Sequence, residues 1–287
     1  MRVLVIGGSG FLGRKLVQVF SKEHEVVGTY MKNKEEGLKK LDLSRRNEIH
    51  RVLSRFRPNL VMLASALTDV DYCELHQQEA YKVNIEGPEN LLAEYKGKII
   101  YISTDFVFDG QKGDYKETDK PNPINYYGYT KLEAEKIVSD SFNPYIIARV
   151  AYLYGLDKEN KKFVNWAIAQ MQNNRQVQAF NDKLVTPTFT NDIGYALSAL
   201  VQANQQGLFH IAGTQSLSLY EMAQKIAQEF NFSKELVKPI SLKGKSLAAK
   251  RPMNSTLNTE KIQSLGIRMS SFDEGVSILR KEMEVSL

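Results

Sequence analysis

Tyr127 and Lys131, four residues apart in the run Tyr126-Tyr127-Gly128-Tyr129-Thr130-Lys131, are the side chains here best suited to chemistry. On a helix that spacing stacks a phenol and an ammonium on one face, where the cation favours the phenolate and makes the hydroxyl a usable acid. The chain opens with a second chemical signature, the turn Gly7-Gly8-Ser9-Gly10-Phe11-Leu12-Gly13, which follows an apolar strand. Glycines at 7, 10 and 13 permit a tight turn and a close backbone approach to a pyrophosphate, whose charge the following helix N-terminus meets. A dinucleotide turn upstream of a lysine-tuned phenol implies hydride transfer. A free phenol titrates near 10, so Lys131 and a positive nicotinamide ring are both required to bring it toward working pH.

Other residues fit around this pair. The apolar segment Ile99-Ile100-Tyr101-Ile102 runs into Ser103-Thr104-Asp105 at its carboxyl end, the end at which open α/β sheets bind ligands. Thr104 is either a hydroxyl for a substrate carbonyl oxygen or a strand cap. About 20 residues beyond the glycine turn an NAD site places an acid on the ribose, but this chain reads Gly28-Thr29-Tyr30-Met31-Lys32-Asn33-Lys34. Lys32 and Lys34 suit a 2′-phosphate, so NADP is the expected cofactor, with NAD left open. Asp42, followed by Leu43, stands either beside an adenine amino group or in an ordinary turn. No metal is expected, because His24, His50, His76 and His210 lack ligand spacing with one another and with Cys73.

Positioning these groups falls to a pattern of alternating short apolar runs and longer amphipathic stretches, which signals βαβ units. Strands are expected at 2–6, 25–30, 60–63, 98–103 and 145–150, and helices at 11–22, 45–56, 77–95, 127–140 and 163–172. The fold class is therefore α/β, a Rossmann-type doubly wound parallel sheet with a smaller C-terminal substrate-binding subdomain. The division expected is 1–153 for the dinucleotide-binding domain with its Thr/Tyr/Lys trio, and 154–287 for a mainly substrate-binding subdomain, some segments returning to the core. With 287 residues and 43% hydrophobic content, a full core is affordable in area. The net charge of +5 comes without any basic block, which argues against nucleic acid. A single cysteine and no apolar run of membrane-spanning length lead to the expectation of a cytoplasmic protein.

These residues resemble the extended short-chain dehydrogenase/reductases and, within them, the dTDP-4-dehydrorhamnose reductase family. The resemblance spans nearly the whole chain: the glycine turn, Ala64-Ser65-Ala66 followed by Val70-Asp71, Ser103 through Gly110, Tyr127 through Lys131, Arg149, Tyr154-Gly155, and Arg251-Pro252-Met253-Asn254-Ser255. It implies Thr104, Tyr127 and Lys131 as the catalytic trio, Lys131 also on the nicotinamide ribose, and Asn84 as a structural or relay residue. It further implies that Asp42, Leu43, Ala64, Ser65 and Ala66 line the adenine and ribose path, and that Asp105 and Tyr152 face the sugar. Tyr152 departs from the family, whose bacterial members carry Trp there. Nucleotide-sugar dehydratases show an Asp-Glu pair after the threonine, whereas here Asp105 precedes Phe106. What the resemblance implies is a nucleotide-sugar ketoreductase acting on a 4-keto-deoxyhexose, in dTDP-rhamnose biosynthesis. The alternatives are a non-catalytic NADP-binding regulatory subunit, like that of methionine adenosyltransferase, and an epimerase or other oxidoreductase of the same fold. The expected partner is a nucleotide sugar, with neither nucleic acid nor membrane, and a homodimer left open.

Overall fold

The computed structural model describes residues 1–157 and 162–285. Strands β1 (Arg2–Ile6), β2 (Glu25–Tyr30), β3 (Lys39–Lys40), β4 (Leu60–Leu63), β5 (Lys98–Thr104) and β6 (Tyr145–Val150) join a late strand, Gly207–His210, in one seven-stranded sheet. Its order is Gly207–His210, β6, β5, β4, β1, β2, β3, and every neighbouring pair is parallel. The inner strands read as continuous apolar runs because helices cover both faces; in β1, for example, residues 3–6 are all buried. One core cluster packs Leu16, Val19 and Phe20 of helix α1 (Phe11–Phe20) and Ile193, Leu197 and Leu200 of the helix Thr190–Gln202 against one face. The other face carries α2 (Arg46–Phe56) and the helix Tyr126–Asp140 through Ile49, Ala134 and Val138.

The doubly wound α/β sheet is thus present. The late strand and its preceding helix return to this sheet from the C-terminal half, since His210 pairs with Arg149. A separate apolar cluster gathers Ile168, Phe189, Met222, Ile226, Phe272 and Leu279 from the C-terminal half. One expected helix differs: 77–95 is Gln77–Tyr81, a π turn Lys82–Glu86, then Gly87–Glu94. Pro88 at the start of the third piece has no N–H to continue the ladder, and the extra residue of the π turn directs Asn84 inward. Among the described residues no helix is long and apolar enough to cross a membrane.

His210 is fully buried, with Nδ1 3.2 Å from the Asn258 carbonyl. Burial first, then the Arg149 charge, push its pKa down to about 3. An unfolded imidazole titrates near 6.5, so between those values the unfolded chain holds the extra proton. Stability is therefore full above the unfolded value and drains as pH falls, by about 1.4 kcal/mol per unit. Urea unfolding at pH 4.5 against pH 7 should show a loss of about 2–3 kcal/mol from this residue. His210→Gln should flatten that slope; an unchanged slope in the variant would remove His210 as its source.

Candidate active site

Strand order reverses between β1 and β4, and a crevice opens there at the carboxyl ends of the strands, as open parallel sheets require. The turn after β1 is built so that only glycine fits. Gly7 has φ of 86°, and a Cβ on Gly13 would lie 1.9 Å from the Gly7 carbonyl oxygen. The helix therefore starts hard against the strand end, and the first-turn amides of α1, which have no partner within the helix, face the crevice. No acidic residue occupies that first turn, so nothing in it opposes a pyrophosphate. This cradle fits a dinucleotide.

Two chambers meet across Gly10, Ala64 and Ala66. One, of about 500 Å³, is lined by Gly7, Gly10, Tyr30, Lys32, Asp42, Leu43, Ala64, Ser65 and Ala66. The other, of about 450 Å³, is lined by Gly10, Phe11, Leu12, Gly13, Ala64, Ala66, Thr104, Asp105, Tyr127, Lys131 and Tyr152. The site residues expected from the sequence line one or both chambers, except Lys34, which sits on an exposed loop, and Asn84, which lies behind the walls. Lys32 is mostly solvated, 3.9 Å from Glu79. Asp42 serves its turn and the chamber together: Oδ1 accepts from the Ser44 amide at 2.9 Å and hydroxyl at 2.8 Å. Burial opposes ionisation there, but these bonds and Arg45 hold its carboxyl below the usual range.

Asn125 caps the tyrosine helix by accepting from the Gly128 amide at 2.8 Å. Gly128 lets that helix press on the loop after β5, since a Cβ there would lie 2.1 Å from the Phe106 carbonyl. Burial raises the Tyr127 phenol above its ordinary value, with the neighbouring Thr104 hydroxyl pulling the other way. Lys131 is buried, donates to the Ile102 carbonyl at 2.7 Å and lies 4.1 Å from the Tyr101 ring centroid. Burial lowers it to about 7, with Glu135 pulling the other way. The sequence expectation gave Lys131 the task of depressing Tyr127; here the ammonium is engaged elsewhere, and burial keeps Tyr127 protonated.

Asn84 bridges from its π turn to Leu67 and Thr130, donating at 3.0 Å to each and accepting from the Leu67 amide at 2.8 Å. It ties the loop after β4 to the tyrosine helix. Tyr152 takes φ of 38°, a left-handed conformation costly for a bulky side chain. The Thr188 amide donates to its carbonyl at 3.1 Å and helps fix it. Sequence reasoning missed Thr68, Lys162 and Phe163 on the second chamber wall. It also missed Lys183, buried beside Asp105; a lysine in a polar loop carries no local sign of burial.

The family model described as RmlD substrate binding domain matches residues 1–285. The chain belongs to that family. Among RmlD-family proteins, dTDP-4-dehydrorhamnose reductase of Aggregatibacter actinomycetemcomitans is 29% identical, over 99% of both chains. Methionine adenosyltransferase 2 subunit beta of Bos taurus is 30% identical, over 93% of this chain and 83% of its own. A solved dTDP-4-dehydrorhamnose reductase from Bacillus anthracis, in complex with NADP, superposes with a TM-score of 0.90 at 29% identity, covering 98% and 99% of the two chains. This RmlD-family chain thus shares its architecture with a solved NADP-bound reductase.

Proposed function

We propose that this protein is an NADPH-dependent ketoreductase that reduces the 4-keto group of a nucleotide-linked deoxyhexose, dTDP-4-dehydro-L-rhamnose, to dTDP-L-rhamnose. The observation that carries the reading is the meeting of Thr104, Tyr127 and Lys131 in a chamber continuous with the dinucleotide cradle through Gly10, Ala64 and Ala66. NADPH, when bound, supplies a hydride for the carbonyl carbon. The cradle residues Gly7, Gly10, Phe11, Leu12 and Gly13 hold its pyrophosphate. Tyr30, Asp42, Leu43 and Ser65 surround the adenosine half, with Lys32 toward the 2′-phosphate. Lys131 holds the nicotinamide ribose.

Reduction needs an acid that is still protonated when negative charge develops on oxygen. Tyr127, kept neutral by burial, meets that condition and gives its O–H proton to the carbonyl oxygen. Thr104 stands beside that phenol and donates at 3.1 Å to Asp105. Asp105 and Tyr152 contact the sugar. Residues 1–153 serve as the dinucleotide domain and 154–287 mainly hold substrate, apart from the segments that rejoin the sheet.

Purified protein should oxidise NADPH in the presence of dTDP-4-dehydro-L-rhamnose, and should bind NADPH more tightly than NADH. Inert protein across related keto sugars would overturn the enzymatic reading. A second reading, a regulatory subunit, is favoured by the likeness to methionine adenosyltransferase 2 subunit beta. It predicts copurification with a synthetase and altered synthetase kinetics without NADPH consumption.

A further inference from the structure

Lys183 stands outside the trio, packed against two aromatic rings. It is only 8% exposed. Its ammonium lies 5.5 Å from the Phe106 ring centroid and 5.9 Å from that of Tyr152, the latter on the wall of the Tyr127 chamber. Among the described residues it makes no hydrogen bond and no salt bridge. Asp105 is its electrostatic neighbour, but that carboxylate is already occupied, accepting from Thr104 on one oxygen and Ser255 on the other. The Lys183 Nζ is not itself sealed off, so its three donors are left for a group that enters the adjoining space.

The backbone around it is held from both sides. The Asn181 amide donates to the Ile240 carbonyl at 3.0 Å and the Leu184 amide to the Met253 carbonyl at 2.7 Å. Asp182, just before it, accepts from the Leu242 amide at 2.8 Å and the Lys243 amide at 3.3 Å. The loop is thus anchored by the residues flanking Lys183.

We infer that Lys183 is a specificity-determining residue for the sugar, its ammonium donating to a hydroxyl oxygen of the keto-hexose while Thr104 and Tyr127 address the carbonyl oxygen. This inference rests on the nucleotide-sugar reading above. An ammonium has donors and no acceptor, so the group it meets must offer a lone pair. Burial raises the Asp105 carboxyl while Ser255 and Lys183 favour its charged form; a second anion beside it would add to that cost, so a neutral hydroxyl suits the site better than a carboxylate or phosphate. Burial lowers the amine to about 8, with Asp105 pulling it up and Arg251 pushing it down, which leaves it charged at neutral pH.

Calorimetric titration of the NADP-loaded protein with dTDP alone and with dTDP-L-rhamnose separates the sugar from its nucleotide. Wild-type protein should bind the sugar nucleotide at least about tenfold more tightly than dTDP, a difference of roughly 1.4 kcal/mol. Lys183→Met should erase that gain while leaving dTDP affinity within about twofold, and Lys183→Gln, which keeps donors, should recover part of it. A gain retained in Lys183→Met overturns the assignment and leaves the reductase reading standing. Parallel loss of dTDP affinity in that variant makes Lys183 a packing residue and also overturns it. A wild-type protein with no sugar gain overturns this inference and the nucleotide-sugar reading together.

Discussion

Tyr127→Phe should lose roughly two to four orders of magnitude in kcat, the usual worth of a positioned proton donor, while NADPH affinity stays unchanged. The substitution deletes one oxygen and keeps the ring, which packs edge-on to Phe106 at 5.9 Å and sits with Cys73 and Ala80 in a small apolar cluster. Cofactor contacts, as proposed, are made mostly by the glycine turn and the chamber beyond it, so fluorescence titration of NADPH should read the same for both proteins. Steady-state oxidation of NADPH with the keto sugar supplies the comparison. Near wild-type turnover in Tyr127→Phe would mean that the proton comes from another group, and the central claim would fall.

The second large effect is on stability. Glu135 follows Lys131 by one helical turn and is 4% exposed. Its carboxylate accepts from Arg149 twice, at 2.9 Å and 2.6 Å, and from the Ser103 hydroxyl. It is also the charge that keeps Lys131 from falling further below its ordinary value. Glu135→Gln would strand the buried Arg149 guanidinium and push Lys131 further toward its neutral form, and removal of one partner from such a pair costs about 3–5 kcal/mol. Thermal unfolding should shift down by on the order of ten degrees. The double variant Glu135→Met/Arg149→Met should recover much of this loss, because a buried pair replaced by apolar groups is often close to neutral. If Glu135→Gln melts within about two degrees of wild type, the pair carries little stability.

Much of the site was readable in one dimension because its key spacings are local. Gly7, Gly10 and Gly13 need only one strand and one helix to become a cradle, and Tyr127 and Lys131 need only one helix to share a face. The strand edges at Ile6, Tyr30, Leu63 and Val150 fell where the apolar runs stopped, since burial of both sheet faces demands such runs. Thr104 was recognisable as the hydroxyl at a strand end even though the strand runs one residue past the expected boundary. Asn84 was less legible: the periodicity of 77–95 suggests one helix, and the π turn that aims the amide at Leu67 arises from the fit to neighbouring elements.

Sequence alone determined the doubly wound class, the dinucleotide turn and the phenol with its lysine, because each follows from periodicity or spacing within one element. Tertiary structure alone decided the company those groups keep. Ser255 reaches Asp105 across 150 residues of chain, Lys183 is buried between Phe106 and Tyr152, and Glu135 rather than Tyr127 is the charge acting on Lys131. Such meetings depend on how helices and loops pack over the sheet. No spacing along the chain records that packing, and burial, which sets the protonation of these groups, exists only after it.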